Sequence, residues 1–137
     1  MRSTFSTRSP EATMAIGKDL ASSLKSGDVV ALFGELGSGK TTFIRGICQF
    51  FSIPQWVKSP SFVIVREYPA PIPIYHIDLY RITDDFAELD DYLNLDGIIL
   101  IEWAEKVEDH LPDQTIRIKL FITGVNKREI EIDDPRD

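Results

Sequence analysis

The chain has 137 residues, 43% of them hydrophobic, which suffices for one core and is too little for two domains of ordinary size. A net charge of −7 argues against a chain that grips a phosphate backbone itself, since that requires clustered Lys and Arg, so no DNA contact is expected. With no run near the roughly 18 apolar residues of a membrane span, no apolar leader in the first twenty residues, and Cys48 as the only cysteine, the expectation is one cytoplasmic domain over residues 1–137, with no membrane role and a buried, unbridged thiol.

Ser9 and Pro10 read as an N-cap and first helical position, and Ala12, Ile16, Leu20 and Leu24 recur at helical spacing up to Gly27. Val29 to Phe33 is a continuous apolar run, the pattern of a strand buried on both faces in a parallel sheet. A glycine-rich segment follows it directly. From Lys40 onward Phe43, Ile44, Ile47, Cys48 and Phe51 mark one helix face, which Pro54 closes. Val63 to Tyr68 and Ile74 to Tyr80 read as a hairpin around the stiff stretch Pro69 to Pro73. In its second strand, period-two alternation sets His76, Asp78 and Tyr80 against Tyr75, Ile77 and Leu79. The second set is the expected core face, which leaves the polar row either a solvated side or part of a site.

A short helix from Asp84 to about Leu93 leads through Asp96-Gly97 into the apolar strand Ile98 to Ile101, ended by Glu102. Ile116, Ile118, Leu120 and Ile122 alternate with Arg117, Lys119 and Phe121, and Gly124 to Lys127 turns the chain into Glu129 to Ile132, an antiparallel pair with one wet face. No internal repeat interrupts the pattern. Its fold class is α/β, a P-loop NTPase-like three-layer fold whose mixed central sheet, with parallel core strands and antiparallel hairpins, is flanked by helices.

Gly34-Glu35-Leu36-Gly37-Ser38-Gly39-Lys40-Thr41 has the G-x-x-x-x-G-K-[ST] spacing between a buried strand and an amphipathic helix, the context that gives this motif its meaning. Backbone N–H groups of such a loop converge on a polyphosphate without side-chain bulk. Lys40 then reaches the β- and γ-phosphates of ATP, Thr41 ligates Mg²⁺, and Thr42 adds a donor to the α-phosphate. Mg²⁺ keeps waters and usually gains an acid at the end of a neighbouring strand. Glu102 fits, either reaching the metal through water or orienting the attacking water. Asp78 is a second candidate, in the outer Mg²⁺ shell or on that water. Arg81 either neutralises phosphoryl charge or pairs with the acidic helix. Trp103 covers the nucleotide or belongs to the core, and Ser59-Pro60-Ser61-Phe62 either senses the γ-phosphate or is a turn leading into a strand.

Gly34 to Thr42, Ser59-Pro60-Ser61-Phe62, His76 to Arg81 and Ile101-Glu102-Trp103-Ala104-Glu105, in that order, resemble the TsaE (YjeE) family. The opening segment with Glu11, Thr13 and Gly17 is also similar, so the resemblance spans nearly the whole chain. Ser61 stands where Thr is common, and Ser38 replaces a common Ala. The resemblance implies a bacterial ATPase required for N6-threonylcarbamoyladenosine at position 37 of tRNA, working with TsaB–TsaD-type partners that hold the tRNA. It places Lys40, Thr41, Asp78 and Glu102 on ATP and Mg²⁺, the last three at the metal and Lys40, Asp78 and Glu102 in catalysis. Trp103, Glu11 and Thr13 lie near the nucleotide by the same carry-over. Alternatives are a nucleotide-dependent docking module with little catalysis, or a small-molecule kinase, for which no Arg-rich lid is visible.

Overall fold

The computed structural model describes residues 1–54, 65–82 and 86–136. Ser59 to Phe62, and the expected starts of the first hairpin strand at Val63 and of the helix at Asp84, lie outside them. Among the described residues seven strands form one sheet: β1 (Arg2–Thr7), β2 (Val29–Phe33), β3 (Val65–Tyr68), β4 (Ile74–Asp78), β5 (Ile98–Glu102), β6 (Ile116–Gly124) and β7 (Lys127–Asp133), in the order β1-β7-β6-β2-β5-β4-β3. β2 is parallel to both β5 and β6, and β4 is parallel to β5. Antiparallel β3 closes one edge and the β6–β7–β1 meander the other.

Helix α1 (Pro10–Ala21) starts where expected, with the Ser9 side chain accepting from the Ala12 N–H at 3.1 Å and Pro10 in the first turn. It stops at Ala21, short of Gly27. Helix α2 (Lys40–Phe50) follows the glycine loop, and α3 is a single short helix, Leu89–Leu93.

The alternation of the central strands feeds two cores. Val30, Leu32, Ile74, Ile98 and Leu100 meet Phe43, Ile44 and Ile47 on the side of α1 and α2. Val29, Ala31, Ile77, Ile99 and Ile101 meet Leu89 of α3 and Ala104 and Val107 of the 3₁₀ segment Ala104–His110. Each fully buried side chain of this size contributes roughly 1.5–3 kcal/mol. The two helices touch backbone to backbone: a Cβ on Gly46 would lie 2.8 Å from the Met14 carbonyl carbon, and one on Gly17 3.2 Å from that of Phe43, nearer still to the oxygens.

On three points the structure adds to, corrects or decides the sequence reading. The Arg2–Thr7 strand was not anticipated; it is a mostly exposed edge strand whose sequence carries no apolar pattern. β4 ends at Asp78, so Tyr80 is not in the strand. The polar row of β4 is not solvated: His76 is 0% exposed and Asp78 3%, because β4 lies inside the sheet with both faces covered. Among the described residues, no helix is long and apolar enough to cross a membrane.

Candidate functional site

The parallel strands β2, β5 and β4 end on one edge of the sheet, the edge where ligands bind in open α/β folds. From Phe33 the chain enters the glycine loop, where Gly34, Gly37 and Gly39 all have positive φ. A side chain at Gly34 would strike Ser38 Oγ at 2.5 Å and the Leu120 carbonyl oxygen at 2.8 Å, so only glycine fits there. Gly39 caps α2 without a side-chain acceptor, and the N–H groups of a helical first turn have no intrahelical partner. From the opposite side Arg128 of β7 donates to the Gly37 carbonyl at 3.0 Å.

Lys40, at the first position of α2, turns its ammonium back over the loop. Nζ donates to the Gly34 carbonyl at 2.5 Å and the Glu35 carbonyl at 3.1 Å, and lies 4.0 Å from the centre of the Trp103 ring. Burial pushes its pKa below the ordinary lysine value, against the opposing pull of Glu102, Glu105, Asp78 and Glu35. Trp103 itself has φ 60°, the left-handed region, which sends the chain sharply away from β5 and leaves the indole over the cleft.

The next helical residue, Thr41, donates its hydroxyl to Glu102 Oε1 at 2.9 Å. Glu102 is the last residue of β5 and is in register with Asp78 at the end of β4, so the two carboxylates share the same strand-end edge. Asp78 Oδ1 accepts from the Tyr80 N–H at 2.9 Å. Lys106, from the 3₁₀ segment, donates to three carbonyls just beyond it, those of Leu79, Tyr80 and Ile82, at 2.8, 2.7 and 2.9 Å. Lys40, Thr41, Asp78, Glu102 and Trp103 thus line one cleft of about 380 Å³, with Leu36, Gly37, Gly39, Thr42 and Arg81 on its walls.

Most of the residues expected at the site meet there. Thr13 lines a second, smaller cleft of about 120 Å³ with Gly37, Gly39 and Thr42, and its hydroxyl is hydrogen-bonded to that of Thr7 at 2.8 Å. Glu11 is exposed in the first turn of α1 and lines a separate cavity with Arg45 and Gln49. Glu35 is exposed and contributes its carbonyl, while the Ser38 hydroxyl is fully buried within the loop, without a hydrogen-bond partner among the described residues. Three residues that sequence reasoning did not select also belong to the neighbourhood, Tyr68, Arg128 behind Gly37, and Lys106 beside the loop after Asp78, while His76, left open between a solvated side and a site, stands with Tyr68 behind Glu102. Only His76 carried a signal, its place between Ile74 and Asp78 in the alternation.

The donor set suits a triphosphate with Mg²⁺. A glycine loop too tight for any Cβ at Gly34 precedes a helix start with a lysine, and beside it stand hard oxygen donors from Thr41, Asp78 and Glu102. Among the described residues no three His, Cys, Asp or Glu side chains close around one point. The arrangement is therefore not a self-sufficient metal cage; a cation here would take part of its coordination from phosphate and water.

The family described as "Threonylcarbamoyl adenosine biosynthesis protein TsaE" matches residues 7–130. The chain is similar to the tRNA threonylcarbamoyladenosine biosynthesis protein TsaE of Bacillus subtilis, 42% identical over 127 residues that cover 90% of this chain and 80% of that protein. Its namesake in Treponema pallidum is 32% identical over 133 residues, covering 91% and 96%. The crystal structure of YdiB from Bacillus subtilis superposes with a TM-score of 0.84 at 37% identity, over 96% of this chain and 84% of that one.

Proposed function

The chain belongs to the TsaE family, and we propose that it serves the synthesis of N6-threonylcarbamoyladenosine in tRNA as a cytoplasmic, Mg²⁺-dependent P-loop ATPase. The observation that carries the ATPase reading is the Thr41 Oγ1 to Glu102 Oε1 hydrogen bond of 2.9 Å at the strand-end edge, beside Lys40 and the glycine loop. It presents a hydroxyl already oriented by a carboxylate, the pairing by which P-loop enzymes hold their metal.

Gly37, Gly39 and the first-turn amides of α2 bind the phosphates, and Lys40 exchanges its bonds to the Gly34 and Glu35 carbonyls for phosphate oxygens. Thr41 ligates Mg²⁺, with Glu102 and Asp78 fixing the hydroxyl and waters around it. Mg²⁺, when bound, neutralises charge on the β- and γ-phosphates. Trp103 excludes water from the cleft, Thr42 adds a donor to the α-phosphate, and the smaller opening lined by Thr13 and Thr42 takes the sugar or base end of the nucleotide. The net charge of −7 suits a protein that acts on a TsaB–TsaD-type complex and leaves the tRNA to its partners.

The test has three arms. Nucleotide titration of Lys40→Ala should show most ATP·Mg²⁺ affinity lost, and unchanged affinity would sink the reading. Asp78→Ala should bind nucleotide yet lose turnover, measured as phosphate release with the partner complex present. Glu102→Ala should stall tRNA modification at one turnover; modification at the normal rate would instead make the chain a docking module whose hydrolysis is not the working step.

A further inference from the structure

We infer that His76, backed by Tyr68, is a positioning residue that fixes the Glu102 carboxylate and, through it, the Thr41 hydroxyl. This deepens the ATPase reading and rests on it. The four side chains form one unbroken row. Tyr68 OH lies 2.9 Å from His76 Nδ1, His76 Nε2 lies 2.6 Å from Glu102 Oε2, and Thr41 Oγ1 lies 2.9 Å from Glu102 Oε1.

Three of the four are withdrawn from water, with Tyr68 1%, His76 0% and Glu102 3% exposed. At that burial a carboxylate oxygen without a donor bears the full cost of losing its water. The row leaves none unserved. Thr41 gives its proton to Oε1. Oε2 needs a donor, so the imidazole carries its proton on Nε2, and Nδ1 is left to accept from the Tyr68 hydroxyl. One neutral tautomer therefore satisfies every member, and each donor points toward Glu102. The sheet supplies the alignment. Ile74, His76 and Asp78 share a face of β4, Glu102 lies on the same face of β5, and Tyr68 pairs with Ile74 from β3.

The consequence reaches the cleft through Thr41. While its proton is committed to Glu102, its lone pairs face outward, where a hard cation is met. If Oε2 loses its donor, Glu102 is free to rotate about its three side-chain torsions, and the hydroxyl loses its direction. Outer partners that orient a metal ligand in this way typically change metal affinity or activity 10–100-fold.

The experiment compares wild type, His76→Leu, His76→Gln and Tyr68→Phe. Folding is first checked by urea midpoint, and a fluorescent ATP analogue is then titrated once with Mg²⁺ and once with EDTA. The ratio of the two affinities isolates the metal-dependent part, which general loosening of the core leaves unmoved. In His76→Leu this ratio should fall roughly tenfold or more. His76→Gln, whose amide still offers a donor to Oε2, should recover most of it, and Tyr68→Phe should lose a few-fold. Nitrogen NMR on the unliganded protein gives a readout without metal: of the two histidines, the buried one should show the Nε2–H tautomer. A His76→Leu ratio equal to that of wild type, or an Nδ1–H tautomer for His76, overturns the inference. Failure of the wild type to bind the analogue at all would instead remove the ATPase reading beneath it.

Discussion

Gly46→Ala places one methyl group where α1 and α2 meet without side chains between them. Alanine should favour the helix by about 1 kcal/mol, because it loses less backbone freedom than glycine. Against this, the new Cβ would lie 2.8 Å from the Met14 carbonyl carbon and 2.9 Å from its Cα, where ordinary contact begins near 3.4 Å. The obstructing atoms are helical backbone, held by their own hydrogen bonds, so no side chain can rotate out of the way. The helices must part, and gaps of this size forfeit a substantial share of the dispersion contact along the seam. Overpacking of this kind costs about 1–3 kcal/mol, and the rigidity of the neighbour puts this case at the upper end. The net expectation is a loss of about 2 kcal/mol, a large share of the 5–15 kcal/mol typical of a domain. Urea unfolding followed by far-ultraviolet circular dichroism reads it as a lower midpoint at unchanged slope. A variant about 1 kcal/mol more stable than wild type would mean that helix propensity alone governs the position, and would refute the close crossing. Gly17→Ala meets the Phe43 carbonyl from the other helix and should repeat the loss.

Ser38→Ala removes a buried hydroxyl with no hydrogen-bond partner among the described residues, and should be neutral or stabilising by about 1 kcal/mol in the same urea assay. Arg136→Ala breaks bonds to Asp134 at 2.8 Å and Asp28 at 2.6 Å, at an expected cost of about 3 kcal/mol near neutral pH. The Arg136 hydrogen bonds hold the Asp134 carboxyl below its ordinary value of 3.8, so their stabilisation is present above that pH and fades as pH falls through the lowered folded value. Stability should therefore decline less on acidification in Arg136→Ala than in wild type, and parallel pH profiles would contradict the pairing. Lys106→Met withdraws the common donor of the Leu79, Tyr80 and Ile82 carbonyls; hydrogen exchange at the Ile82 amide, which donates to Leu79, should quicken at least several-fold.

What the sequence made legible follows from the range of the forces involved. The apolar run Val29–Phe33, the glycine loop and the periodic face of α2 are local patterns, and each formed as read. Ser9 and Pro10 marked the start of α1 for the same reason. β1 left no such mark. Its place depends on ladder bonds to β7, more than a hundred residues away, and exposed positions impose no hydrophobic alternation. His76 was ambiguous because alternation identifies which residues share a face without saying what covers it. Only strand order decides that β4 is inside the sheet and that its polar face meets Glu102. Lys106 and Arg128 are single cations whose partners are carbonyls, and a carbonyl has no signature in a sequence.

The ammonium of Lys40 above the indole of Trp103 gives the molecule a built-in optical gauge. A positive charge 4.0 Å from the ring centre shifts the energy of its excited state, and transfer of that charge to an incoming phosphate group would change the emission colour and yield. Replacing Trp56, the other tryptophan, with phenylalanine would leave a single tryptophan whose light, excited beyond the absorption of the tyrosines, follows the lysine side chain from one resting place to the other, with no dye attached.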